Sequence, residues 1–433
     1  MIIDEDILKD GMTPKLLSKL IARHSTGYER LKMLEDYYLG NHAIKTRTRA
    51  SDSAANNRIV CNHAKYIVDI SKSYLVGNPV SYACSEGYDI EAVKNSYYVQ
   101  DMASIDAEIE KTMSIFGEAF ELVYADEGSQ PKSAVLSPMN TFVVYGSSIG
   151  SEPLCGIHYY KKRGIDGNVT GVCALVCDNT MLYTYESRHD SFDRLALTSK
   201  QRHYFGIMPI IEYRNNEEGQ GDFEQLIPLI DAYNVLESDR VNDKEQFVDA
   251  FLFLKGIDLD SEQAKKLREE RILMGYEGAG AEYLAKAMSE SDVEVLKNAL
   301  RTDIHRFSMV PDLSDRTFGS NLSGVAIKYK LMGFEQHVRS KERYLAKSLK
   351  RRFELYVNFL SLKGAMEYVP IHRINVTFTR NMPVNELEVS QMIRNLDGIA
   401  TSETLLSQLS FVGDAKEEAE RAAREREKEA ERK

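Results

Sequence analysis

Apolar residues recur at helical spacing along most of the chain, and the alternation typical of strands is confined to its second quarter. The first helical segment, KLLSKLIARH, follows Thr13 and Pro14, a capping residue and a proline suited to the first turn. Two more segments, YERLKMLEDYYLG and NHAKYIVDISKSYLVGNP, end at glycine or at Gly-Asn-Pro. Between them lies NHAIKTRTRASDSAANNR, which we expect to be a solvated basic loop and not an anion site.

Strand-type patterns begin near Glu118 in six runs separated by Gly, Asn, Asp, Ser and Pro. The runs are EAFELVYAD, SAVLSP, TFVVYG, LCGIHYYKK, TGVCALVCD and MLYTYES. They favour a mainly antiparallel β unit. Cys173 and Cys177 share one strand face about 13 Å apart. Since no His or Cys pair stands nearby to complete a zinc site, we interpret them as buried free thiols.

A helix is predicted over residues 223–248, because Phe223, Leu226, Ile230 and Tyr233 follow helical spacing. Pro228 fits only in its first turn. The middle of this helix, ESDRVNDKEQ, is polar nearly all round. Such a helix is either well solvated or packs against copies of itself through polar contacts.

A small α/β insert follows: AFLFLKG, a charged helix SEQAKKLREER, and ILMGYEGAGAEYLAK. GYEGAG resembles a phosphate-binding loop only superficially, since it lacks the GK[ST] ending and no helix follows it. We interpret it as a tight turn between two short strands.

The next helix is predicted to start with a capping box, Ser291 to Glu294, and to stop at Pro311. The polar stretch PDLSDRTFGSNLSG then leads into a very long amphipathic helix that reaches about Leu362 and spans about 58 Å if straight. Gly333 is the expected bend. On this helix RSKERYLAKSLKRR is strongly basic. It either contacts nucleic acid or an acidic partner, or is a solvated face that pairs with acidic segments of a neighbouring subunit, and the second interpretation is favoured.

The C-terminal part predicts a short strand pair in HRINVTFTRN and two helices from about Val384. The tail DAKEEAERAAREREKEAERK has opposite charges three or four residues apart, which is compatible with a solvated helix that frays at its end.

Composition narrows the function further. The formal net charge of −11 argues against a protein that wraps DNA by neutralising phosphates. It is compatible with a protein past which DNA must move. No apolar run is long enough to span a membrane, and the acidic N-terminus lacks a secretion signal. Five cysteines indicate reduced thiols. No Walker-type loop, HExxH, GxSxG or CxxC motif occurs, so an enzyme is the minority interpretation.

Six blocks follow one another in a specific order. They are ERLKMLEDYYLGNHAI, KYIVDISKSYLVGNPV, MSIFGEAFELVYAD, PLIDAYNVLESDRVNDKEQFVDAFLFLKG, FSMVPDLSDRTFGSNLSGVAIKYKLMGFE and VNELEVSQMIRNLDGIATSETLLSQLSFVGDA. Through them the chain closely resembles the portal proteins of tailed bacteriophages, of the type found in long-tailed phages of Gram-positive hosts. The similarity runs from about residue 20 to about residue 415. Ser410 departs from the pattern, which has proline there.

The resemblance implies an α+β portal fold assembled as a ring, usually of twelve subunits, at one capsid vertex. It implies a wing (1–222), two stem helices (223–248 and 291–309) and a clip (249–290). A tunnel loop (310–323), a long helix with wing strands (324–383) and a crown with a charged tail (384–433) complete the chain. Such rings conduct double-stranded DNA into the capsid and later release it, without cofactors.

The resemblance also implies sites and partners. The tunnel loop would present Asp315, Arg316, Thr317, Phe318, Ser320 and Asn321 to DNA. The clip would present Lys265, Lys266, Arg268 and Arg271 to the terminase large subunit and later to a head-completion or adaptor protein. Scaffold and major capsid proteins are further expected partners, and no membrane is involved. The expected location is the portal vertex of the virion, and the host cytoplasm during assembly. The alternatives are a DNA-packaging enzyme and a non-ring capsid assembly scaffold.

Overall fold

The computed structural model describes residues 1–9, 11–49, 55–85, 87–150, 152–248, 251–255, 280–284, 290–314, 324–380, 386–409, 412 and 415–431. Helices and mostly antiparallel sheets occupy different parts of the chain, so the fold class is α+β, as predicted. The ring arrangement and the limits of the six predicted regions are taken up below as proposals.

Five helices form the N-terminal part together with two short strands. The helices are α1 (Pro14–Ser25), α2 (Tyr28–Tyr38), α3 (His63–Val76), α4 (Glu91–Val99) and α5 (Met102–Phe116), and the strands are β1 (Ile2–Ile3) and β2 (Ser81–Cys84). Thr13 caps α1 by accepting a hydrogen bond from Leu16 N, and Pro14 is its first residue, as the sequence predicts. Gly40, at φ +81°, follows α2, which confirms its predicted stop.

The predicted β unit forms two sheets. The strands are β3 (Glu118–Ala125), β4 (Pro131–Leu136), β5 (Thr141–Gly146), β6 (Pro153–Arg163), β7 (Val169–Cys177), β8 (Met181–Ser187), β9 (Ala196–Arg202) and β10 (Ile210–Arg214). The larger sheet has the order β1-β5-β6-β7-β8-β9, antiparallel except for β1 beside β5, and the smaller has the order β10-β3-β4. The prediction of a mainly antiparallel unit is confirmed, and β9 and β10 are additional strands.

The sheets and helices stack in layers. Helix α1 covers one face of the larger sheet through Leu17, Leu20 and Ile21. The opposite face meets the smaller sheet, where Phe120 and Ile210 are buried with residues of β5 and β7. Because side chains alternate along β3, its odd-numbered residues lie on the face opposite Phe120. They pack against a large core formed by helices. The smaller sheet is therefore buried on both faces.

A pair of helices and a pair of strands follow. They are α6 (Ile227–Val248), β11 (Phe251–Lys255), β12 (Gly280–Leu284) and α7 (Glu290–Ser308), and β11 pairs antiparallel with β12. Pro228 is the second residue of α6, within the first turn as predicted. The predicted capping box is wrong, because Ser291 already lies inside the first turn of α7 and not at its cap. The predicted helix SEQAKKLREER and the GYEGAG turn lie outside the described residues.

The long helix is divided into α8 (Gly324–Lys330) and α9 (Met332–Leu362). The break falls at Leu331, whose ψ of −3° departs from helical geometry, and not at the expected Gly333, which belongs to the first turn of α9. The buried face of α9 forms the centre of the main core, with Val338, Leu345, Leu349 and Phe353 fully buried.

The C-terminal part contains β13 (Ile374–Thr377), α10 (Glu386–Leu396), α11 (Ser402–Leu406) and α12 (Ala415–Glu431). The predicted strand pair in HRINVTFTRN is wrong. One strand forms there, β13, and its antiparallel partner is β2, almost three hundred residues earlier. Hydrophobic alternation identifies a strand but not its distant partner.

Candidate functional site

Helices α6 and α7 run antiparallel and are joined by ion pairs. Arg240 contacts Glu290 at 2.7 Å and Glu294 at 3.3 Å, and Lys297 contacts Glu237 at 2.8 Å. As residue numbers rise on α6 they fall on α7, so the pair forms a hairpin that projects β11 and β12 from its far end. These pairs are partly exposed to solvent, so each contributes little to stability.

The polar middle of α6 binds an extended segment of the same chain. Asn234, Ser238 and Asn242 are fully buried, four residues apart on one helix face. They accept backbone hydrogen bonds from Cys61, Ile59 and Asn57 at 2.8, 2.9 and 2.7 Å. Two extended residues span about 6.6 Å and four helical residues about 6 Å, so the two periods match. Ser238 and Asn242 belong to the stretch ESDRVNDKEQ, so both predicted alternatives, solvation and contact with another copy, are wrong for these two residues.

The basic loop that precedes this segment is also attached to α6. Arg47 and Arg49 both contact Asp239, with 2.6 Å between Arg49 Nη2 and the carboxylate. The carboxyl pKa of Asp239 is lowered, because the bonds from Arg47 and Asn242 outweigh the effect of burial. The expectation of a solvated loop is therefore wrong for these arginines, because they pair with a carboxylate of the same chain.

The chain entering segment 315–323 is held by α3. The Tyr66 hydroxyl donates to Pro311 O at 2.9 Å and accepts from Leu313 N at 3.1 Å. Asp312 lies 3.5 Å from Arg301 and 3.9 Å from His305 on α7. The end of α7 and the first residues after Pro311 are thereby fixed in position.

The chain leaving the same segment is held by α3 as well. Glu335, in the first turn of α9, accepts from the Tyr74 hydroxyl at 2.7 Å, from Arg380 Nε at 3.0 Å and from Arg339 Nε at 2.8 Å. Burial alone would raise the pKa of Glu335, but these donors outweigh it and lower the pKa to about 2. Tyr66 and Tyr74 are eight residues apart, about 12 Å along α3. One helix thus contacts the chain shortly before segment 315–323 and the helix α9 that follows it.

A buried ion cluster joins the start of the helix pair to the rest of the protein. Lys341 of α9 donates to Glu110 at 2.7 Å, to Ser114 at 2.6 Å and to Asp222 at 2.7 Å. Burial alone would raise the pKa of Asp222, but Lys341 and nearby His337 reverse the effect and hold it below its usual range. Helices α5 and α9 and the chain entering α6 therefore meet at one cation.

A second buried cation lies further along α9. Arg352 donates from Nε to Glu121 on β3 at 2.9 Å and pairs with Asp106 on α5. Tyr213 donates to the other oxygen of Glu121 at 2.5 Å. Removing one partner of such a cluster leaves a buried charge uncompensated, so the clusters fix how α9 packs on α5 and β3.

The predicted site residues lie outside the described residues. This holds for the loop residues Asp315, Arg316, Thr317, Phe318, Ser320 and Asn321, and for the insert residues Lys265, Lys266, Arg268 and Arg271. The structure describes instead the residues that position these segments. Sequence reasoning missed Tyr66, Tyr74 and Lys341, although a lysine inside the apolar stripe between Val338 and Leu345 was a usable signal.

The described residues offer no metal site and no membrane span. No group of three or more His, Cys, Asp or Glu side chains among them is arranged to hold a metal ion. None of the described helices is both long and apolar enough to cross a membrane. Cys173 and Cys177 are buried free thiols on β7, as predicted.

Comparison with known proteins identifies the class. The family described as "Phage portal protein, SPP1 Gp6-like" matches residues 17–432. The chain therefore belongs to this family of phage portal proteins, which form the capsid channel through which viral DNA is packaged.

Two curated relatives are named portal proteins. The portal protein of Bacillus phage SPP1 is 26% identical over 437 residues, covering 95% of this chain and 86% of the relative. The portal protein of Clostridium phage phiCD119 is 22% identical over 392 residues, covering 85% and 84%. A solved structure, the neck of an empty GTA particle computed with C6 symmetry, aligns with a TM-score of 0.45 at 14% identity, covering 80% of this chain and 88% of that one.

Proposed function

We propose that this protein assembles as a ring of twelve subunits at one capsid vertex and conducts double-stranded DNA inward during packaging and outward during ejection. The observation that carries the proposal is the portal-family match over residues 17–432. In this proposal the ring occupies the virion, after assembly in the host cytoplasm.

The elements are assigned to portal regions as follows. Residues 1–222 and 324–383 are the wing with its long helix, 223–248 and 291–309 the stem, 249–290 the clip, 310–323 the tunnel loop and 384–433 the crown. The α6–α7 hairpin, which carries β11 and β12 at its end, supports the stem and clip assignment. Tyr66 and Tyr74 support the assignment of 310–323, because α3 contacts Pro311 at the start of this segment and Glu335 in the helix α9 that follows it.

Charge supports a channel that DNA traverses without adhering. Twelve copies at −11 carry a formal −132 (12 × −11), and a like-charged wall repels phosphates. In the loop Arg316 makes brief phosphate contacts, with Asp315, Thr317, Phe318, Ser320 and Asn321 as its neighbours. Phosphate contacts carry no sequence information, which suits a channel for a whole genome.

The clip is the proposed docking surface for other proteins. Lys265, Lys266, Arg268 and Arg271 contact the terminase large subunit during packaging and a head-completion or adaptor protein afterwards. Scaffold and major capsid proteins contact the ring during assembly. The protein itself performs no catalysis, so the pure protein is expected to show neither nuclease nor ATPase activity, and clear turnover would contradict this proposal.

Replacement of Arg316 by Ala, and separately deletion of 314–320, tests the loop assignment. Rings are expected to form while the fraction of DNA-filled particles falls. Arg188→Ala, at an exposed arginine outside the proposed channel, is the matched control and leaves packaging unchanged. Loss of rings would show that the loop is structural, and unchanged packaging would show that it does not contact DNA.

A further inference from the structure

The outward face of α9 carries five cations over about three and a half turns. Its cations lie on the side of the helix opposite the buried residues, so they form one surface. They are Arg339, Arg343, Lys347, Lys350 and Arg351. The first and last are about 18 Å apart along the helix axis. We call this surface the basic face.

Most of these cations have no counter-charge within the described part of the chain. Arg339 pairs with Glu335 at 2.8 Å. Arg343, Lys347, Lys350 and Arg351 have no described carboxylate at ion-pair distance, whereas elsewhere on helix surfaces such pairs are common, as with Lys32 and Glu35.

The basic face is held rigidly. On the other side of α9, Lys341 and Arg352 are fixed by the two buried ion clusters, and Leu345 and Leu349 are fully buried. Less conformational entropy is therefore lost when a partner binds than on a mobile helix.

Copies of this chain all carry a net negative charge, so their assembly is favoured by a basic surface at the contact between them. The chain carries −11, so the chain without these five cations carries −16 (−11 − 5), and whole copies repel one another. A ring is built from a heterologous contact, in which one side of each subunit meets a different side of the next. Local complementarity at that contact offsets the general repulsion.

The position of the basic face favours a neighbouring copy over DNA. Helices advance 1.5 Å per residue, so along α9 Arg339 lies about 10 Å and Arg351 about 28 Å beyond Met332, and α8 lies between Met332 and segment 315–323. If the segment before Gly324 reaches the channel, the basic face lies well away from the duplex.

We propose that the basic face, from Arg339 to Arg351, contacts an acidic surface of the adjacent copy of this chain. The inference rests on the ring of the proposed function and adds the surface that joins its subunits.

Carbodiimide cross-linking tests the contact directly, because it joins lysine amines to carboxylates in direct contact without a spacer. Rings of the full-length protein are assembled from a mixture of isotopically light and heavy copies, which separates links between copies from links within one. Links between copies at Lys347 or Lys350 are expected. The variant Lys347→Arg/Lys350→Arg keeps the charges, and it is expected to form rings without those links. Their absence in wild-type rings would overturn the inference.

Charge reversal gives an independent test. Arg343→Glu/Lys347→Glu is compared with Lys15→Glu/Lys19→Glu, an exposed pair at the same i,i+4 spacing on α1. Light scattering across a salt series is expected to show a loss of rings for the first variant only, with unchanged circular dichroism. Intact rings with weakened DNA binding would overturn the inference in favour of nucleic acid. Failure of the wild type to form rings would instead contradict the proposed function.

Discussion

Lys341 on α9 donates a hydrogen bond to Asp222, 119 residues earlier at the entry to α6, with 2.7 Å between Lys341 Nζ and Asp222 Oδ2. Each side chain is only 2% exposed. The contact connects the helix that follows segment 315–323 to the helix that begins the proposed stem.

Replacement of Lys341 by Met is expected to lower the free energy of unfolding by about 3–5 kcal/mol, because Glu110 and Asp222 remain buried without their cation. Chemical denaturation measures the change. Lys19→Met, at an exposed helical lysine, is the control and stays within about 0.5 kcal/mol of wild type. Equal stability of the two variants would show that the cluster does not stabilise the junction.

Replacement of Gly117 by Ala tests the close approach beside this junction. A Cβ at Gly117 would lie 2.1 Å from Gly219 O, and its φ is +85°. Gly364 has a similar φ of +74° with no atom within 4 Å of the same position. Both alanines share the backbone strain of about 1–2 kcal/mol. Gly117→Ala is expected to cost about 1–3 kcal/mol more because of the clash. Equal losses in denaturant midpoint would remove the steric argument.

The lowered pKa of Glu335 predicts that the free energy of unfolding depends on pH. Its native pKa of about 2 lies below the ordinary value of 4.5. Above about pH 4.5 the stabilisation is fully present, and it is lost as pH falls toward 2, since the unfolded state binds the proton first. In urea unfolding, the stability difference between wild type and Glu335→Gln is therefore expected to be constant above about pH 4.5 and to shrink as the pH falls from 4.5 toward 2. A difference that stays constant with pH would contradict the assigned role of the donors.

Replacement of Tyr66 by Phe removes the hydroxyl that contacts Pro311 O and Leu313 N. The free energy of unfolding is expected to fall by about 1 kcal/mol or less, because the freed groups can reach water. Amide hydrogen exchange at Leu313 is expected to become several-fold faster. Tyr98→Phe, at a tyrosine that is 89% exposed, leaves that exchange unchanged. Unaltered exchange at Leu313 in Tyr66→Phe would show that α3 does not hold this end of the segment.

Much of the local structure follows from sequence pattern. Periodicity identified α1, α6 and α9 and most strands, because burying one face imposes a 3.6- or two-residue repeat. Strand β9 was missed since all seven of its residues are exposed, which leaves no alternation to detect.

Long-range polar contacts could not be predicted in the same way. The buried Ser238 and Asn242 looked like a solvated surface, because a single sequence does not show that an extended segment 179–185 residues earlier lies against them. Likewise, Lys341 lies within an apolar stripe of the sequence, but nothing in the pattern identifies Glu110 and Asp222 as its partners.

Electron microscopy of the purified full-length protein tests the central claim most directly. Negative-stain images under assembly conditions are expected to show annular particles with a central hole and regular rotational symmetry, twelve-fold in the proposed assembly. Monodisperse monomers under the same conditions would contradict the account of this chain as the subunit of a DNA-conducting ring.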